Sequence, residues 1–350
     1  MSREIKNARD EGTVAGGAAN DSLHDPLHDR FHPKWFAIVN PVAGGGRGLD
    51  AFPHISKLLR DNGIPCEPVF TEHKCHATEL TVEAVTAGYR RIIVIGGDGT
   101  LHEVVNGLFI QQCVRPDEIS LAVIAVGTGN DWIRMFGITE NFGDAIRAIR
   151  EEHTFLQDVC CVKYVESQFE QTRYMANVAG IGLDAYVIGR YNHWRNKGRS
   201  GPLLYVRCLL RSFFRYRSSG VKVWVDDRPV YDNLLLSAAF GVCQYNGGGI
   251  RQLPKAVPDD GLLDVTLIRP LYWWQVVFRL RKLFNGNIYT IGHVHHAQGR
   301  HVRIESIPSV QLEVDGEMLG GSPVEFSIVP RAVRVVVSRS FIERHKTDGR

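Results

Sequence analysis

The 350-residue chain contains no uninterrupted apolar run near the roughly 18–20 residues a membrane span requires. Its N-terminal segment also lacks the apolar core of a secretory signal, which points away from export. Its seven cysteines (Cys66, Cys75, Cys113, Cys160, Cys161, Cys208, Cys243) are odd in number and match no C-x-x-C or zinc-type spacing. That argues against a disulfide framework and for reduced thiols in a cytoplasmic compartment. Neither charge sign dominates: 41 Lys and Arg oppose 38 Asp and Glu, a net +3 that gives no ground for a nucleic-acid partner. No segment fits G-x-x-x-x-G-K-[ST], so a Walker A loop is excluded. Internal repeats and long low-complexity tracts are absent as well.

What is present is ordinary globular composition, 44% apolar and 23% charged, at a length suited to two domains. Residues 1–33 mix Gly, Ala, Asn, Asp and His without an apolar period and read as a disordered leader. Within it His24, Asp25, His28, Asp29 and His32 could take a metal, although a solvated polar tail is the simpler account of them. From Lys34 the pattern changes. Strands are expected at 35–39, 67–70, 91–95 and 121–126, and helices at 49–62, 77–87, 102–112 and after 131. Strands alternating with helices predict a parallel sheet between helices over 34–155. Residues 156–340 read instead as short β-strands forming a sandwich, among them 174–178, 234–242, 324–328 and 332–337, with helical insertions near 202–217 and 271–284. The last strand there could return to the first domain, and 341–350 read as a tail.

Three glycine-rich segments follow three of the predicted strands: Asn40-Pro41 with Gly44, Gly45, Gly46 and Gly48, then Gly96-Gly97-Asp98-Gly99-Thr100, then Gly127-Thr128-Gly129-Asn130-Asp131. At the ends of parallel strands, backbone N–H groups without a Cβ in the way can approach phosphate oxygens closely. One such loop is often only a tight turn, whereas three in succession point to a polyphosphate site. The first also fits a loose dinucleotide fingerprint, Gly46-x-Gly48-x-x-Ala51 with Glu72 beyond, which leaves the other two unexplained. Asp98 places a carboxylate inside a phosphate-binding turn, where repulsion demands that it organise Mg²⁺ or accept a proton. Glu103 either joins that cluster or complements its helix's N-terminus.

These segments, in this order, resemble the diacylglycerol kinase catalytic domain shared with sphingosine, ceramide and bacterial lipid kinases. The later segments Asn246-Gly247-Gly248-Gly249, Pro258-Asp259-Asp260-Gly261 and Val314-Asp315-Gly316-Glu317 extend the likeness across 34–338. The resemblance implies an NAD kinase/diacylglycerol kinase-like α/β domain followed by a β-sandwich, with ATP and Mg²⁺ as cofactors. It implies a nucleotide site lined by Asn40, Gly44, Gly46, Thr71, Gly96, Gly97, Asp98, Gly99, Thr100, Leu101, His102, Glu103, Gly127, Thr128, Gly129 and Asn130. Asp98 and Asp131 would join a Mg²⁺ network, and Asp315 or Glu317 would be the general base. Alternation along a strand would put those last two on one face, although Asp-Gly is also a strong turn signal. Val257, Asp260 and Leu262 would hold a structural Mg²⁺. His102 and Trp132-Ile133-Arg134 depart from the family's commoner residues.

The implied partner is a lipid acceptor at a membrane surface, diacylglycerol by default, with sphingoid bases, ceramide, polyprenols and phosphatidylglycerol open. Residues 190–217 carry eight Lys and Arg and no Asp or Glu, with Arg207, Arg211 and Arg215 four apart among apolar residues. This segment and the aromatic, basic 271–284 suit peripheral contact with an anionic leaflet, or alternatively a packed helix with a solvated basic face. Other readings are an NAD kinase-like enzyme, a lipid-binding regulator without catalysis, and a dinucleotide oxidoreductase. Exposed β edges could pair in a homodimer.

Overall fold

The computed structural model describes residues 33–195, 197 and 202–347; the leader with its histidines lies outside them up to His32. β1 (Trp35–Val39), α1 (Arg47–Asp61), β2 (Cys66–Phe70), α2 (His76–Thr86), β3 (Arg91–Gly96), α3 (Asp98–Ile110) and β4 (Ser120–Ala125) alternate along the chain. Their strands pair in parallel, in the order β4-β3-β1-β2. Ile38, Ile92, Ile93, Ile95 and Ile124 are fully buried. Neighbouring residues of a strand point to opposite faces, so continuous burial means helices cover both sides. Pro68 is tolerated because β2 is the edge.

α4 (Asp131–Met135) and α5 (Phe142–Glu151) complete this layer, the second capped by Asn141, whose Oδ1 accepts from Gly143 N at 2.8 Å. The chain continues through β5 (Thr154–Glu166), β6 (Phe169–Met175), β7 (Val178–Gly182), α6 (Leu183–Arg195) and α7 (Pro202–Phe213). Then follow β8 (Ser219–Val225), β9 (Arg228–Leu235), β10 (Ser237–Gly241), β11 (Leu263–Ile268) and α8 (Trp273–Phe284). The last elements are β12 (Val294–Gly299), β13 (His301–Ile307), β14 (Gln311–Val314), β15 (Glu317–Val336) and α9 (Arg339–Thr347). Strands of this β-sandwich are antiparallel, and Phe240 of β10 stacks on Phe326 of β15 at 4.8 Å, both fully buried. β15 joins the two parts. It pairs antiparallel with β5, β13 and β14, and its far end runs parallel to β4, with Val335 opposite Leu121.

Several expectations are corrected. Residues 324–328 and 332–337 belong to one strand, β15, whose register shifts between Val329 and Val333, with Arg331 at φ 49°. Residues 234–242 are two strands, β9 and β10. The expected strand at 174–178 is broken between β6 and β7. β5 and α6 were not foreseen. The tail after 340 is largely α9, held by buried Phe341, whose ring centroid lies 5.3 Å from that of Phe136.

Candidate active site

β1, β3 and β4 end at one edge of the parallel sheet, and the three glycine-rich loops leave from there. Close backbone approach fixes their composition. A methyl on Gly44 would stand 2.3 Å from the Val126 carbonyl oxygen, and one on Gly127 would stand 2.7 Å from the Gly97 Cα. No Cβ survives at such distances, so these glycines are required by contact between loops. Side chains tie the loops further. Asn40 Nδ2 donates to Thr100 Oγ1 at 2.9 Å, and Arg47 Nη2 donates to the Gly127 carbonyl at 2.6 Å. Beside Arg47, Gly127 and Asn130 opens a cavity of about 300 Å³, with Ala51 and Phe142 on its apolar wall. Thr71 and Thr128 are half-buried at the ends of β2 and β4.

The second glycine segment is not a free turn. Asp98, Gly99 and Thr100 are the first turn of α3, which begins four residues earlier than the sequence suggests. Asp98 is half-buried, and its carboxylate accepts from Asp131 N at 3.1 Å and Trp132 N at 3.3 Å, so it caps α4. Asp131 accepts in turn from Gly248 N at 2.7 Å and Gly249 N at 2.6 Å, anchoring the glycine-rich 246–249 loop. Burial first, and then the charge of Asp98, push the Asp131 carboxyl up to about 7. Burial also raises Asp98, with Asp315 adding to it. The two carboxylates flank one point: a methyl on Gly129 would lie 3.1 Å from Asp98 Oδ2 and 3.6 Å from Asp131 Oδ2. Asp98's charge raises the proton affinity of the buried Asp131, and two carboxylates crowded in this way make a place where a hard cation is favoured.

Asp315 and Glu317 do not share a face. Val314 pairs with Glu317 across a two-residue turn, and Asp315 and Gly316 have φ of 50° and 87°, the left-handed pair of a type I′ hairpin. The two side chains consequently diverge. Asp315 is buried, side chain 3% exposed, and accepts from Ala176 N, Asn177 N and Val178 N at 3.1, 3.0 and 3.2 Å. Those are the amides left over where β6 breaks from β7. His102 Nδ1 lies 3.0 Å from Asp315 Oδ2, and Asn106 Nδ2 lies 3.3 Å from His102 Nε2, which sets the ring's proton on Nδ1. Glu317 is 22% exposed, stands 3.3 Å from where a methyl on Gly99 would be, and pairs with Lys74 Nζ at 3.3 Å.

His102 and Leu101 therefore turn away from the loops, the second into the core. Glu103 does not reach Asp98; its carboxylate caps α2, accepting from Cys75 N at 2.9 Å and Ala77 N at 3.2 Å. In the 257–262 loop, Asp260 Oδ1 accepts from Leu262 N at 2.9 Å, while Val257 is buried. The loop is held by Asp158, which accepts from Gly261 N and Arg331 N, each at 2.7 Å. Burial raises the Asp158 carboxyl, with Asp260 and Asp259 adding to the effect. This oxygen-rich, locally negative corner fits a hard cation.

Sequence reasoning missed Arg47, Lys74 and a buried acidic wall. Glu313 lies well above the ordinary carboxylate range through burial, with Asp184, Asp315 and Glu317 adding to it. Burial likewise lifts Asp184 to about 6, although Gln252 Nε2 donates to it at 2.7 Å. Tyr205 of α7 closes this wall against Gly247, where a methyl would lie 2.5 Å from its hydroxyl. Position 313 in Glu-Val-Asp-Gly-Glu was the only visible signal.

α7 turns Leu203, Val206, Arg207, Leu210 and Arg211 outward, with Leu203 88% exposed, and Phe214 just past its end is exposed too. α8 and its lead-in expose Tyr272, Trp274 and Phe278, the last at 83%. Both helices pack their inner sides on one small cluster around Leu183, Val187 and Ile288. Arg190, Arg207 and Arg211 line a pocket of about 80 Å³ with Trp194. No helix among the described residues is long and apolar enough to cross a membrane, and all seven cysteines are free thiols.

Comparison with known proteins agrees with this geometry. Residues 34–162 match the diacylglycerol kinase catalytic domain, and 177–337 match the YegS C-terminal NAD kinase beta sandwich-like domain. A diacylglycerol kinase of Mycobacterium tuberculosis is 27% identical over 304 residues, covering 87% of this chain and 94% of the relative. One of Staphylococcus haemolyticus is 25% identical over 311 residues, 89% and 90% of the two chains. A crystal structure of a diacylglycerol kinase from Bacillus anthracis superposes with a TM-score of 0.66 at 23% identity, covering 88% of this chain and 98% of that one.

Proposed function

Since the chain belongs to the diacylglycerol kinase catalytic-domain family and is a lipid kinase, we propose that it transfers the ATP γ-phosphoryl group to a lipid hydroxyl, with diacylglycerol the default acceptor. The observation that carries this reading is the convergence of three glycine-rich loops on the adjacent carboxylates of Asp98 and Asp131. Backbone N–H groups of the loops and the N-terminus of α3 offer the polyphosphate its donors. Asp98 and Asp131 would hold Mg²⁺, and Asp260 with the Val257 and Leu262 carbonyls a second, structural ion. Bound at the phosphates, Mg²⁺ supplies neutralisation of the charge that develops on transfer.

Phosphoryl transfer to an alcohol needs one carboxylate to take the hydroxyl proton. Glu317 is the better of the two expected candidates. Asp315 already receives three backbone amides and His102, whereas Glu317 is partly open and lies beside the first turn of α3. Lys74 Nζ pairs with Glu317 Oε2 at 3.3 Å and positions the carboxylate. The acceptor reaches the site from the side of α7, whose Tyr205 touches the polyglycine loop that Asp131 anchors. Exposed apolar residues of α7 and α8, interleaved with arginines, suit peripheral contact with an anionic leaflet.

ADP release measured with Mg²⁺ and ATP, across mixed micelles of diacylglycerol, ceramide, a sphingoid base, a polyprenol and phosphatidylglycerol, tests the reading. ADP release that depends on acceptor and is greatest with diacylglycerol supports it. Release that is the same with no acceptor would reduce the activity to ATP hydrolysis and contradict it.

A further inference from the structure

The segment between β2 and α2, together with the first turn of α2, brings together three side chains that the proposed reaction does not use. His73, His76 and Glu79 each offer one ligand atom, all within 4.8 Å of one another. The two imidazoles stack with centroids 4.5 Å apart and planes 14° from parallel, and His73 Nε2 lies 3.8 Å from Glu79 Oε2. We propose that these residues bind a divalent transition metal, with two imidazole nitrogens and one carboxylate oxygen as its protein ligands.

His73 is already arranged for this. Its Nδ1 lies 3.0 Å from the Lys74 carbonyl and donates to it, which leaves the lone pair on Nε2 directed toward Glu79. A backbone carbonyl on the far nitrogen is the usual outer partner of a ligating histidine. His76 and Glu79 lie three apart on the first turn of α2, hence on one side of the helix. His76 Nδ1 accepts the Glu72 N–H at 2.9 Å, so this nitrogen carries a lone pair that a metal would take over. With bonds of about 2.0–2.2 Å, a tetrahedral ion needs its ligand atoms about 1 Å closer, a movement open to exposed side chains.

The helix end would ordinarily oppose a cation. Here the Glu103 carboxylate already receives Cys75 N and Ala77 N and offsets that end. Two imidazoles with one carboxylate favour Zn²⁺, Co²⁺ or Ni²⁺ over Mg²⁺, so a Mg²⁺-dependent reaction does not compete. Three protein ligands leave the fourth position to water or another small donor. Cys75 stands between the histidines in sequence, but its Sγ is not among the clustered ligand atoms, so it is not counted among the ligands. The same segment carries Lys74, the partner of Glu317.

The test is calorimetric titration of Zn²⁺ into the full-length chain in excess Mg²⁺, with far-UV circular dichroism to check folding. Every arm carries His24→Ala, His28→Ala and His32→Ala, so that leader histidines contribute nothing. One Zn²⁺ per chain is expected. His73→Ala and Glu79→Gln should each weaken it about tenfold or more, the lower end of what losing even an outer partner costs. Cys75→Ser should leave the affinity unchanged. Absence of saturable one-to-one binding, or affinity unaltered in folded His73→Ala protein, overturns the proposal. Because binding is read directly, neither result depends on the kinase reading.

Discussion

Replacing Asp315 by Asn should damage the fold, whereas replacing Glu317 by Gln should damage the chemistry. Asp315 receives four donors in a buried position: three amides at 3.0–3.2 Å and His102 Nδ1 at 3.0 Å. An amide keeps one accepting oxygen and points an NH₂ at the remaining donors. At about 1.5–3 kcal/mol for each hydrogen bond to a charged group, losing two costs on the order of 4 kcal/mol. For a chain this size that lowers the melting temperature by on the order of 10 °C. Glu317→Gln gives up a pair whose Lys74 side is 73% exposed, and such pairs contribute about 0–1 kcal/mol, so melting should hardly move. Transfer should fall about 10²–10⁴-fold, the range attributed to a general base. Differential scanning fluorimetry and initial rates on the same samples decide it. An Asp315→Asn variant that melts like wild type but is inactive, beside an active Glu317→Gln variant, would refute the assignment.

Gly127→Ala drives a methyl to 2.7 Å from the Gly97 Cα and from Asn130 Oδ1, so it should weaken ATP binding at least tenfold while costing about 1–3 kcal/mol of stability. Equilibrium dialysis with ATP and a melting curve read the two effects. Arg207→Gln with Arg211→Gln removes two exposed cations from α7. At about 1 kcal/mol each near an anionic surface, sedimentation with phosphatidylserine vesicles should show about thirtyfold weaker binding, converging on wild type at high salt. Asp131, raised to about 7, binds its proton more tightly folded than unfolded. Its contribution to stability is thus complete below about pH 4 and is lost as pH rises through about 7. Melting curves from pH 5 to 8 without Mg²⁺ should therefore fall less steeply for Asp131→Asn than for wild type.

The alternating first half was legible because β1, β3 and β4 are continuous apolar runs that lead into glycine-rich loops, so both type and order followed from the sequence. Boundaries failed where distant partners set them. Asp98-Gly99-Thr100 reads as a turn, yet it is helical because the Asp98 carboxylate is engaged by amides 33 and 34 positions away. β5 was missed because Gln157, Asp158 and the paired cysteines obscure its alternation, although Gln157 and Asp158 are buried and satisfied by remote groups. The residue types of the site were visible, but their division of labour was not. Nothing in Asp-Gly-Glu tells which carboxylate the hairpin sends inward, and no local signal links Lys74 to Glu317. Glu103 was misplaced for the same reason, since its partners belong to α2.

The most direct test is transfer of ³²P from γ-labelled ATP, with Mg²⁺, into chloroform-extractable lipid in vesicles containing diacylglycerol, with Asp98→Ala run alongside. The account predicts labelled phosphatidic acid that accumulates with time in wild type and is absent from the variant. No labelled lipid from folded, ATP-binding wild-type protein, or equal labelling by Asp98→Ala, would contradict it.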